Sequence, residues 1–181
     1  MNFKNTPTSF GVVTKLLHWL IGLTMLALVW LGWYMVDLTY FDKWYNQSLN
    51  YHKSAGMLVL GLATFWLGWR MLSPSPQALE SSPLWVRRSA SIMHGVLILL
   101  MFVIPLTGYV ISASAGKPVS FFDWFNIPAL LEIGPESRDF AIVAHYYMAY
   151  GLCVLVVGHA VAAFKHQFIN RDGTLSRMLW R

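Results

Sequence analysis

The 181-residue chain is 56% hydrophobic and only 12% charged, with a formal net charge of +5. Soluble domains carry about 25% charged residues, so this composition excludes an ordinary water-soluble globule and points to a bilayer. The single cysteine, Cys153, lies in an apolar run, which excludes a disulfide framework, a thiolate zinc site and an iron–sulfur cluster.

A hydrocarbon core of about 30 Å needs roughly 20 mainly apolar residues per helix, and four segments meet that length. The first covers residues 14–36. No small-residue cleavage site follows it, so it reads as a retained span and not as a signal peptide. Polar residues from Asp37 to Tyr51 separate it from a second span at 52–72. The run Ser73-Pro74-Ser75-Pro76 opens a connection that reaches Ala90, and a third span follows at 91–113. The longest connection, Ser114 to Asp139, holds Gly116-Lys117-Pro118 and Phe121-Phe122-Asp123-Trp124-Phe125. Its aromatics are expected to rest on the outer membrane surface at headgroup level. The fourth span covers 140–165. With no internal repeat, residues 1–181 read as one membrane domain: an all-α, four-transmembrane-helix bundle.

Lys and Arg counts orient it. One side carries nine: Lys4, Lys15, Arg70, Arg87, Arg88, Lys165, Arg171, Arg177 and Arg181. The other carries four (Lys43, Lys53, Lys117, Arg138) beside six acids (Asp37, Asp42, Asp123, Glu132, Glu136, Asp139). Both termini are therefore placed in the cytoplasm, and the positive excess is a topology signal, not a nucleic-acid footprint. Trp19 and Trp69 read as interfacial anchors, and Lys15 and Lys165 as snorkelling cations.

Ionisable residues inside spans are costly, which singles out the histidines. His18 lies near the inner start of the first span, His52 at the outer start of the second, and His94 near the inner start of the third. The fourth carries His145 and His159, with His166 just beyond. His145 and His159 are 14 residues apart, about 21 Å along a helix and only about 40° apart in direction. One helix thus offers an imidazole in each half of the bilayer. His52 is at a depth to face His145, and either His18 or His94 to face His159. A single histidine in a membrane helix is more often a hydrogen-bonding residue than a ligand. Histidines at paired depths, with no carboxylate among the inner ones, instead suit two b haems held between facing helices. Gly56 and Gly158 remove bulk near the proposed planes. Arg70, 18 residues after His52, shares its interior face and reaches toward the propionates of the inner haem. His94 and His166 have two readings, a role near a quinone headgroup or interfacial polarity. The nine methionines read as packing.

The chain resembles the bacterial cytochrome b561 family, related to the b subunit of nickel–iron hydrogenases, from about Phe10 to Met178. The matching pieces are Leu17-His18-Trp19-Leu20, His52-Lys53 with Gly56, His94-Gly95, His145, Gly158-His159, Lys165-His166-Gln167-Phe168 and Asp172-Gly173-Thr174-Leu175-Ser176-Arg177-Met178. The resemblance implies haem ligation by His18 with His159 and by His52 with His145, choosing His18 over His94. It also implies electron transfer between a periplasmic partner and membrane quinone, with superoxide oxidation in one branch.

The expectation is a two-haem relay in a bacterial inner membrane, with lipid around it and ubiquinone as the membrane substrate. The outer loops, at four basic against six acidic residues, do not favour superoxide, a small anion, although Lys53 beside His52, or Arg138, offers a local positive spot. They suit a basic periplasmic redox protein. A histidine-relay transporter is the rival from another class, weakened by the lack of a repeat. A haem subunit acting only inside a larger dehydrogenase or hydrogenase is a third reading.

Overall fold

The computed structural model describes residues 2–77, 83–114 and 116–179. Four helices long and apolar enough to cross a membrane dominate it: α1 (Val12–Val36), α2 (Tyr45–Leu72), α3 (Leu84–Ala113) and α4 (Pro135–Phe164). Each runs for 25 to 30 residues, which at 1.5 Å per residue is about 38 to 45 Å and exceeds the hydrocarbon thickness. The extra turns explain why α2, α3 and α4 begin five to seven residues before the apolar runs. Main-chain hydrogen bonding continues past the edge of the hydrocarbon, where polar side chains no longer oppose it. His52 therefore sits two turns inside α2 and does not open it. Arg181, counted on the cytoplasmic side, and residues 78–82 of the second connection lie outside the described residues.

Close helix packing runs from α1 to α2, α2 to α3 and α3 to α4. The core joins Leu17, Ile21 and Met25 of α1, Val59 and Ala63 of α2, Met101 and Ile104 of α3, and Leu152 of α4. The spacing of four along α1 is one helical stripe. Outside it, Leu16, Leu20, Leu23, Leu99, Val154 and Val161 remain exposed. A helix apolar on all sides belongs in lipid.

Both termini and the α2–α3 connection meet at one end. Asn5 donates through its main-chain N–H to Ser73 Oγ at 2.8 Å and through Nδ2 to Ser73 O at 2.9 Å. The Gln77 N–H reaches Pro7 O at 3.0 Å. Gly11, which precedes α1, lies so close to the main chain of Phe3 and Lys4 that a Cβ there would collide with it. At the other end, α4 starts with Pro135 at its first position after Gly134, where the missing N–H is no loss.

The long outer connection is more ordered than a surface-lying strip. Strands β1 (Val119–Phe121) and β2 (Phe125–Ile127) form an antiparallel hairpin that packs on α2. Its turn holds Phe122 at φ 50° and Asp123 at φ 60°, a conformation usually given to Asn-Gly. Outside interactions hold it there. Ser54 Oγ on α2 donates to Ser120 O and accepts from the Phe122 N–H, both at 2.9 Å. The Asp123 carboxylate accepts from Asn50 Nδ2 at 2.9 Å and from Ser120 Oγ at 3.0 Å. Ser54 is fully buried.

Replacing Ser54 with Ala strands the Phe122 N–H and the Ser120 carbonyl, at a cost of about 1–3 kcal/mol for a buried unsatisfied group. Amide exchange across residues 119–127 should then speed up at least tenfold while the interiors of α1 and α3 keep their protection. Unchanged exchange in the hairpin would remove Ser54 as its anchor.

Candidate functional site

Two histidine clusters lie at opposite depths, and α4 contributes to both. In the outer one, His52 of α2 faces His145 of α4 with ring centroids 6.1 Å apart and planes at 68°. Glycines let the rings approach the neighbouring helices. A Cβ on Gly32 of α1 would meet His52 Cε1 at 3.4 Å, and one on Gly108 of α3 would meet His145 Cε1 at 3.2 Å. His145 Nδ1 lies 3.0 Å from Ile104 O and 3.0 Å from Thr107 Oγ1. His52 Nδ1 is buried without a hydrogen-bond partner among the described residues.

In the inner cluster, the ring centroid of His159 is 6.2 Å from that of His18 on α1 and 5.3 Å from that of His94 on α3. Both residues that helix spacing left as partners for His159 are thus brought to it. Arg70 is at the same end, exposed, its guanidinium 5.5 Å over the Trp66 ring. A Cβ at Gly56 would meet nothing within 4 Å, and one at Gly158 only Met93 Cε at 3.7 Å.

His166 lies seven residues after His159, two turns on and on a similar face. It sits in a π-helical turn (Lys165–Ile169) that widens the end of α4. Its Nδ1 is 2.5 Å from Asp172 Oδ2, and the other carboxylate oxygen accepts from the main-chain N–H and hydroxyl of Thr174 at 3.0 and 2.6 Å. Burial alone would raise the Asp172 pKa, but the hydrogen bonds from Thr174 and His166 outweigh it and hold the carboxyl below its ordinary range. The tail beyond is tied to α1: Trp19 Nε1 donates to Met178 O at 3.0 Å and Lys15 Nζ to Leu179 O at 2.8 Å. Arg177 reaches Thr8 O and Gln77 O at 2.9 and 3.2 Å. Trp19 and Trp69, expected as interfacial anchors, both make internal bonds; Trp69 Nε1 donates to Thr14 Oγ1 at 3.1 Å.

The donor set would suit a metal whose remaining ligands come from another group. Among the described residues no three His, Cys, Asp or Glu side chains are grouped as a metal cage. An imidazole nitrogen binds a first-row metal at about 2 Å, so two rings on opposite sides of one metal have centroids roughly 6.3 Å apart. The His18–His159 and His52–His145 pairs have that spacing, and His94–His159 is too close. At His145, the Ile104 carbonyl can only accept, so the nearby Nδ1 carries the proton and Nε2 is bare for a metal.

Thr107 and Ile104 were not singled out from the sequence. Ile104 acts through its carbonyl, for which no residue letter is a signal. Asp172 stands in the sequence as the first residue of the Asp172–Met178 motif, with no sign there of its bond to His166.

Comparison with known proteins gives a consistent identity. The sequence profile described as prokaryotic cytochrome b561 matches residues 9–181. Cytochrome b561 homolog 2 of Escherichia coli (strain K12) is 41% identical over 179 residues, covering 99% of this chain and 95% of that protein. Cytochrome b561 homolog 1 of the same organism is 28% identical over 171 residues, covering 91% and 93%. A Yersinia pestis protein named probable superoxide oxidase CybB is 25% identical over 169 residues, covering 90% and 91%.

The lowered Asp172 pKa has a pH consequence. Its contribution to holding the tail is complete above the ordinary carboxylate range and is lost as pH falls through the lower folded value. Proteolysis of the tail in detergent should therefore accelerate below about pH 4. In Asp172→Asn it should already be fast at pH 7 and lose this acid dependence. A variant as resistant as the parent at both pH values would remove Asp172 from the clasp.

Proposed function

The chain belongs to the prokaryotic cytochrome b561 family, and from that premise we propose that it is a di-haem b-type cytochrome carrying electrons across the bacterial inner membrane between a periplasmic partner and ubiquinone. The observation that carries this reading is the two facing imidazole pairs, with centroids 6.2 and 6.1 Å apart, that share α4. In this reading His18 and His159 hold the inner haem b, and His52 and His145 the outer one. When bound, each haem supplies a reversible one-electron ferric/ferrous couple. Each histidine pair would supply two imidazole nitrogens to its haem, which suits electron transfer and not oxygen binding. Arg70 offers its guanidinium to the propionates at the inner end. His94, beside His159, and His166, oriented by Asp172, are assigned to the quinone headgroup as hydrogen-bonding and proton-carrying groups. Lipid covers the apolar outer faces of the helices. The family premise also sets the histidine-relay transporter aside.

Oxidation of superoxide with quinone as acceptor is a second reading, favoured by the name of the Yersinia pestis relative. The outer loops carry four basic against six acidic residues, a balance that does not favour gathering a small anion, although Lys53 and Lys117 lie near each other beside His52. They suit docking of a basic periplasmic redox protein.

A pyridine haemochrome assay on detergent-purified protein should give two b haems per chain. Replacing His52 or His18 with Ala should leave one each, and the double replacement none. One haem in the parent protein would overturn the two-site reading. Replacing both His94 and His166 with Ala should slow ubiquinone reduction by about 10²-fold, the low end for positioned acid–base groups, with haem content unchanged. An unaltered rate would remove both from the quinone site.

A further inference from the structure

The outer pair is asymmetric beyond the metal-facing nitrogens. Thr107 Oγ1 donates its one proton to Ile104 O, three residues back on α3, at 2.8 Å. Toward His145 the hydroxyl is therefore an acceptor, 3.0 Å from Nδ1. The same Nδ1 is 3.0 Å from Ile104 O, so its N–H is held between two acceptors that are themselves bonded to each other. A β-branched side chain with its hydroxyl bonded back to the helix has little rotamer freedom. Gly108, the next residue, leaves the room for the His145 ring to come this close. The opposite ligand, His52, lacks such a pair of acceptors: no hydrogen bond reaches its Nδ1, and the Leu28 carbonyl is the backbone group that acts on its ring. Among the described residues, neither His18 nor His159 makes a side-chain hydrogen bond of this kind.

We propose that Thr107 is a positioning residue that fixes the tautomer and orientation of His145, strengthens its Nε2 as a donor to the outer haem, and so would lower the potential of that haem. The inference rests on the two-haem reading. An acceptor on Nδ1–H pushes electron density onto the imidazole, and a richer axial ligand stabilises the ferric state more than the ferrous one. Loss of one acceptor reverses part of that shift.

The test is an equilibrium redox titration of the haem-loaded protein in detergent, resolving both components in the parent, Thr107→Val and Thr107→Ser. Valine keeps the branched shape and loses the hydroxyl; serine keeps the hydroxyl. Thr107→Val should raise one component by a threefold to tenfold change in ferric-to-ferrous preference, tenfold being about 59 mV for one electron. The other component should stay in place, and Thr107→Ser should titrate like the parent. An unmoved pair in Thr107→Val, an equal shift of both components, or a shift as large in Thr107→Ser would each overturn the role of the hydroxyl. A single component in the parent protein would instead bring down the two-haem reading, and this inference with it.

Discussion

An imidazole in hydrocarbon, like a backbone amide there, costs several kcal/mol unless a partner meets it. In this chain α4 carries two, His145 and His159, about 21 Å apart along the helix. Each is met by a ring from another helix, at 6.1 Å by His52 and at 6.2 Å by His18. That requirement sets which helices surround α4 and at what depth. The glycines at 32 and 108 then become understandable as the places where a helix must give way to a ring.

The two clusters are built on different terms. Around the outer pair, α2 carries both His52 and Ser54, so the residue that anchors the hairpin lies two positions from a proposed ligand. Order in the outer connection and order at His52 are thus tied to one stretch of helix. Around the inner pair, the tail beyond α4 closes the end of the bundle through Trp19 and Lys15. The helix that carries His18 is thereby tied to the chain that continues from His159.

The apolar runs were a sound guide to the four helices because lipid demands them. The helix starts at Tyr45, Leu84 and Pro135 escaped that guide, since a helix does not stop where hydrocarbon does. Pairing at α4 could be read from a spacing of 14, yet spacing could not choose between His18 and His94, and both do approach His159. The hairpin was hidden because its turn uses Phe122 and Asp123, residues that rarely take positive φ and do so here under hydrogen bonds from α2. Thr107 was hidden for a different reason. Its role depends on a carbonyl and on a ring 38 positions away, neither of which a residue pattern announces.

The cytoplasmic clasp has one property that bears on how the protein tolerates change. Where the clasp joins distant parts of the chain, five of its side-chain donor bonds end on main-chain carbonyls: Met178 for Trp19, Leu179 for Lys15, Thr8 and Gln77 for Arg177, and Ser73 for the Asn5 amide. A carbonyl is present whatever side chain its residue bears. Residues 8, 77, 178 and 179 are thus free to drift in identity while the donors Asn5, Lys15, Trp19 and Arg177 are held. An insertion or deletion in either terminal segment, by contrast, would move the carbonyls themselves, and no single substitution could restore them.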